Sequence, residues 1–133
     1  MAAARTIYLV DDDRDFLELE KQILAGSGCA TVCFSDPTAA LAALAGAMEL
    51  PALVVTDLMM SSLDSGFTLA LAIKKDPRLA SIPVIIVSAV SSQKGFDFHP
   101  KSAEELAAMG AAAFFDKPVQ PTALLAKVKE LLA

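Results

Sequence analysis

Along this chain the apolar positions switch between a strand-like and a helix-like period, and they do so five times. Thr6–Val10 is a short apolar run that ends in Asp11-Asp12-Asp13. Behind it Phe16, Leu19, Ile23 and Leu24 recur at offsets of 3, 7 and 8, the spacing of one helix face, and Gly26 and Gly28 close the stretch. Ala30–Phe34 reads as a second strand. Asp36 followed by Pro37 sets an N-cap before a proline in the first helical turn, which predicts an Ala- and Leu-rich helix over 38–48. Residues 52–56 form a third strand running into Asp57. A third helix over 66–75 turns Phe67, Ala70 and Leu71 inward, and Asp76-Pro77 stops it. Residues 83–87 are an unbroken apolar run, as suits a strand buried on both faces. Ser102 with Glu105 makes a capping box for a short helix over 103–109 that Gly110 closes. Residues 112–115 are the fifth strand, and Pro121–Leu132 is a helix with Leu124, Leu125, Val128, Leu131 and Leu132 along its apolar face.

Strands alternating with helices imply an α/β fold, a parallel sheet covered by helices on both faces. The 133 residues suit one domain over 1–133, with no output domain expected after the last helix. At 55% apolar, with a mean hydropathy of +0.53, the chain has material for a real core and no signature of disorder. The net charge of −5 argues against direct nucleic-acid binding, which needs clustered Lys and Arg. The most apolar runs, 83–90 and 39–48, fall short of the roughly 20 residues of a spanning helix, and the N-terminus lacks the apolar stretch of a signal peptide. No membrane association is expected, and the cytoplasm is the expected compartment. Cys29 and Cys33 agree with that. On one strand they would sit about 13 Å apart, too far for a disulfide, and buried structural thiols are expected.

Sheets of this kind bind ligands at the carboxyl ends of their strands. There the sequence places Asp11 and Asp12, then Asp57, then Ser88, then Asp116-Lys117-Pro118. Gathering three carboxylates is costly, since two unit charges about 5 Å apart repel by roughly 3 kcal/mol at an effective dielectric near 20. A hard divalent cation relieves that cost, and an all-oxygen donor set with room for water suits Mg²⁺ better than Zn²⁺. A carboxylate with Mg²⁺ on one side and Lys117 on the other is a chemically reasonable phosphoryl acceptor. Asp13 fits a helix N-cap better than a ligand, and His99, alone in a loop before Pro100, reads as a surface residue.

These residues, in "YLVDDD", "VVTDLMM", "VIIVSA" and "FFDKP", resemble the receiver domain of bacterial two-component response regulators, from Ile7 to Leu132. The resemblance implies a doubly wound five-stranded parallel sheet, the (βα)5 flavodoxin-like receiver fold, in strand order 2-1-3-4-5. It implies that Asp57 is the phosphoacceptor, and that Asp11, Asp12, Asp57 and the backbone carbonyl of Met59 hold Mg²⁺. It implies that Ser88 bonds the phosphoryl oxygens, that Lys117 pairs with them, and that Ser88 and Phe114 form the switch. The donor would be a sensor histidine kinase or phosphotransfer protein. The listener would be a downstream protein effector, met through the face of the fourth helix, fifth strand and fifth helix. Such a domain is not a turnover enzyme. Met59 and Val90 stand where the family positions a hydrolytic water, and both are apolar, so slow self-dephosphorylation is expected.

The chain also departs from the family pattern. Met60 is followed by Ser61 rather than proline, Ser65 lengthens the loop after Asp57, and Phe114 replaces the more frequent tyrosine. Lys117 follows Ser88 by 29 positions, roughly two helical turns more than usual, because of the segment 91–102. Phe96 and Phe98 in that segment would anchor it on the core. Two other readings compete. One is a pseudo-receiver that scaffolds partners without taking phosphate. The other is a phosphatase of the haloacid-dehalogenase-like type, in which Asp11 and Asp13 do the chemistry.

Overall fold

The computed structural model describes residues 5–57, 65–88, 103–108, 110–116 and 119–132. Within them β1 (Thr6–Val10), β2 (Ala30–Phe34), β3 (Leu53–Asp57), β4 (Val84–Ser88) and β5 (Ala113–Asp116) form one sheet in the order β2-β1-β3-β4-β5. All four neighbouring pairs are parallel. The helices are α1 (Arg14–Leu24), α2 (Pro37–Gly46), α3 (Ser65–Lys75), α4 (Ala103–Ala108) and α5 (Pro121–Leu132), with a 3-10 turn at Ala25–Ser27. The flavodoxin-like receiver architecture expected from the resemblance is the architecture found.

The sheet separates two apolar clusters. One gathers Tyr8, Val10, Val54, Val84 and Ile86 with Ala40 and Leu44 of α2 and Leu69, Ala70 and Ile73 of α3. The other gathers Ile7, Leu9, Leu53, Val55, Ile85 and Val87 with Phe16, Leu17 and Leu24 of α1 and Leu124 and Val128 of α5. Each fully buried aliphatic side chain contributes about 1.5–3 kcal/mol relative to exposure, and β3 and β4 are buried along their whole length. An apolar run with no polar alternation is the sequence signature of such central strands.

Local chemistry sets the element ends. Asp36 accepts a hydrogen bond from the Thr38 N–H at 3.0 Å ahead of Pro37 at the start of α2. α4 ends in a Schellman arrangement, with the Ala111 N–H on the Leu106 carbonyl and the Gly110 N–H on that of Ala107, at a left-handed Gly110 (φ 76°). The Arg78 guanidinium reaches the Leu44 and Ala47 carbonyls and so caps the C-terminal end of α2.

Several expectations need correction. The inward stripe of α1 is Phe16, Leu17, Glu20 and Leu24, while Leu19 is 41% exposed. Glu20 sits in that stripe, so a pattern built from apolar letters alone slides off it. Among the described side chains of α3 the buried ones are Leu69, Ala70 and Ile73, and Leu71 is half-buried. α2 stops at Gly46, two residues early, and Met48 is fully exposed. β3, β4 and β5 each lie one residue later than read, and so end on Asp57, Ser88 and Asp116 themselves. Cys33 is exposed and Cys29 half-buried, both as free thiols, because β2 is an edge strand. The capping serine Ser102, the side chains of Phe67 and Glu105, and the segment 91–102 with Phe96, Phe98 and His99 lie outside the described residues.

Candidate functional site

Strand order decides which strand ends meet. β1 lies between β2 and β3, and β4 follows β3, so Asp11, Asp57 and Ser88 arrive at one rim of the sheet. Val10 pairs with Thr56 and Asp57 with Val87, which puts Asp57 one position from Ser88 on the neighbouring strand. Ser88 in turn pairs with Asp116, the last residue of β5.

Asp11 extends the line of β1 by one residue. Its N–H donates to the Phe34 carbonyl of β2 at 3.0 Å, and its carboxylate Oδ1 accepts from the Asp13 N–H at 2.9 Å. The chain then turns into α1. Asp13 caps that helix, its Oδ1 accepting from the N–H groups of Asp15 (3.0 Å) and Phe16 (3.2 Å). The three consecutive aspartates thus take different tasks. Asp11 is buried at the strand end, Asp12 is exposed at the turn, and Asp13 is committed to the helix.

One carboxylate oxygen from each of Asp11, Asp12 and Asp57 lies within 4.8 Å of the other two. Asp11 and Asp57 are only 1% and 8% exposed. At that separation each pair of unit charges repels by about 3 kcal/mol at an effective dielectric near 20, less where Asp12 meets solvent. A fold that keeps three carboxylates this close has the donor set of a hard, oxygen-ligated cation. Ser88 is also buried, at 1% exposure. Phe114 on β5 is half-buried and packs against the cluster shared with α2 and α3. Met59 and Lys117, the remaining residues of the expected set, lie outside the described residues, as does Val90.

Two contributors had gone unread in the sequence. Thr56 is buried beside Asp57, and its Oγ1 donates to the Asp57 carbonyl at 3.0 Å. Phe34 supports Asp11 through a backbone carbonyl, a role that no side-chain pattern signals.

Comparison with known proteins agrees with this arrangement. A family model described as the response regulator receiver domain matches residues 7–129. The chain is 32% identical over 133 residues to the transcriptional regulatory protein GltR of Pseudomonas aeruginosa, covering 98% of this chain and 50% of that protein. It is 30% identical to the response regulator PleD of Caulobacter vibrioides, covering 97% of this chain and 26% of PleD. The chain therefore spans half or less of these relatives' length. Among solved structures, the signal receiver domain of a signal transduction histidine kinase from Syntrophus aciditrophicus superposes with a TM-score of 0.77 at 29% identity, over 97% of this chain and 90% of that one.

Proposed function

Because the chain belongs to the family of response regulator receiver domains, we propose that Asp57 is its phosphoacceptor. The observation that carries this reading is the gathering of the Asp11, Asp12 and Asp57 carboxylates within 4.8 Å at the carboxyl rim of the sheet. Asp11, Asp12 and Asp57 are hard oxygen donors that would hold Mg²⁺, with the backbone carbonyl of Met59 as the further ligand the family implies. The ion supplies positive charge against the carboxylates and the phosphoryl oxygens.

The chain's own residues do the rest. An Asp57 oxygen forms its bond to phosphorus as the N–P bond of a phosphohistidine breaks, on a sensor histidine kinase or a phosphotransfer protein. The Ser88 hydroxyl donates to the new phosphoryl oxygens and the Lys117 ammonium pairs with them. Ser88 shifts toward the phosphoryl group and Phe114 turns into the space it leaves. The surface formed by α4, β5 and α5 then changes its affinity for a downstream protein effector, a population shift between two states in a cytoplasmic switch. The domain accepts one phosphoryl group and releases it slowly, without turnover of a substrate.

Incubation with acetyl phosphate and Mg²⁺, read by intact mass, tests the assignment. One phosphoryl adduct is expected, absent from Asp57→Asn and from a chelator-treated sample. An adduct that persists in Asp57→Asn overturns the assignment of Asp57. No adduct, together with no Mg²⁺ binding by titration, overturns the phosphoacceptor reading. Complete loss of the adduct within seconds in Mg²⁺ buffer overturns slow release.

A further inference from the structure

β2 is one of the two terminal strands of the sheet, opposite β5. Ala30 donates its N–H to the Arg5 carbonyl, and the Phe34 carbonyl accepts from the Asp11 N–H. With the register Thr6↔Ala30 through Val10↔Phe34, a parallel ladder then spends both backbone groups of Ala30, Val32 and Phe34 on β1. Thr31 and Cys33 direct their N–H and C=O groups to the outer side. Natural edge strands are usually blunted by charge, proline or a bulge. Ala30-Thr31-Val32-Cys33-Phe34 carries neither charge nor proline, in a chain of which 20% is charged. Val32 is 41% exposed and lines an open cleft of about 570 Å³ with Tyr8, Leu50 and Ala52, and with Arg5, Thr6 and Glu49.

We propose that β2 pairs antiparallel with β2 of a second copy of this chain, about a two-fold axis passing through Val32. That register is the one that pairs all five residues of the edge. Thr31 then faces the partner's Cys33, and each such pair exchanges both of its outward hydrogen bonds. Val32 faces the partner's Val32 in the closer, non-hydrogen-bonded position. Ala30, a small residue, faces the partner's Phe34, a large one. Side chains on this face adjoin the cleft beside Val32, where Tyr8, Leu50 and Ala52 are apolar and Arg5 and Glu49 carry opposite charges.

The other face of the sheet adds charge complementarity. Cys33 feels Lys21, Glu20 and Glu18 of α1, and of these Lys21 and Glu18 are opposite charges one helical turn apart. A two-fold axis perpendicular to the sheet lays α1 beside the partner's α1 in the reverse direction. Each Glu18 is then turned toward the partner's Lys21, so the same axis that pairs the strands also pairs these charges. A single strand pair is small beside the roughly 1,600 Å² of a standard interface, so the dimer forms reversibly with concentration. The inference is independent of phosphoryl transfer, since its groups are those of β2 and α1.

The test is sedimentation velocity on the full chain across micromolar to millimolar concentrations, with Val32→Lys and Val32→Glu made separately. Wild type is expected to shift from monomer to dimer. Each variant sets like charges face to face and should weaken association by about tenfold or more. An equimolar mixture of the two variants should recover the dimer, because only an axis at Val32 puts lysine opposite glutamate. Circular dichroism shows that each variant is folded. Val32→Cys in a Cys29→Ser, Cys33→Ser background should cross-link on oxidation, since the facing Cα atoms stand about 4.5 Å apart. A wild type that stays monomeric at millimolar concentration overturns the proposal. So does a dimer that both charged variants leave unchanged, or a mixture that fails to recover association.

Discussion

Two glycines in this chain share a backbone conformation and differ in their surroundings, which separates two costs that are usually merged. Gly28 has φ 78° and Gly110 has φ 76°. A Cβ built at Gly28 meets nothing within 4 Å, whereas one at Gly110 would stand 2.9 Å from the Ala70 carbonyl oxygen and 3.0 Å from its carbon. Those atoms belong to the backbone of α3, whose Leu69, Ala70 and Ile73 are fully buried, so they cannot turn aside as a side chain would. Gly28→Ala therefore measures the left-handed conformation alone, about 1 kcal/mol. Gly110→Ala adds overpacking of about 1–3 kcal/mol and so totals about 2–4 kcal/mol. Urea unfolding followed by circular dichroism reads both, provided the slopes stay equal. The difference between the variants is the quantity of interest, because the unfolded-state effect of Gly→Ala is common to both. Losses equal to within about 0.5 kcal/mol would refute the reasoning and show that α4 moves freely against α3.

The carboxylate cluster, the cap of α1 and the Cys33 thiol each carry a further expected outcome. In chelator, Asp57→Asn should be more stable than wild type by about 3 kcal/mol, the repulsion of two unit charges within 4.8 Å at an effective dielectric near 20. Mg²⁺ should then raise the urea midpoint of wild type more than that of the variant, and a variant less stable than wild type in chelator counts against the electrostatic account. Asp13→Ala should lose about 1 kcal/mol in the same unfolding assay through its cap on α1 while keeping the phosphoryl adduct, and loss of the adduct would show that Asp13 is more than a cap. Partial burial raises the Cys33 thiol above its ordinary value of 9.0, with Lys21 opposing. Alkylation of Cys33 in a Cys29→Ser background should therefore be slower at pH 8 than that of a peptide cysteine, reaching its plateau only at higher pH. The stability linked to this thiol is present below pH 9.0 and falls as pH rises through the folded value, because the unfolded chain gives up the proton first.

Much of the molecule was legible in the order of its letters. The five strand positions, the caps at Asp13 and Asp36, the stop at Gly110 and the placement of Asp11, Asp12, Asp57 and Ser88 at strand ends all follow from local chemistry. Caps, glycine stops and apolar periods act over a few residues, so a sequence displays them directly. What depends on neighbours distant in the chain was not displayed. The pattern of Ala30–Phe34 is as apolar as that of a central strand, and only the order β2-β1-β3-β4-β5 leaves it at an edge with Val32 and Cys33 exposed. Glu20 breaks the apolar stripe of α1, so the face that points inward was settled by packing on β1 and α5 rather than by periodicity. The closeness of Asp11 and Asp57, 46 positions apart in the chain, exists because β1 and β3 are adjacent in the sheet. The sequence by itself determined which side chains could do the chemistry. The tertiary structure decided which of them meet, because like charges are brought within 4.8 Å only when two buried strands outweigh their repulsion.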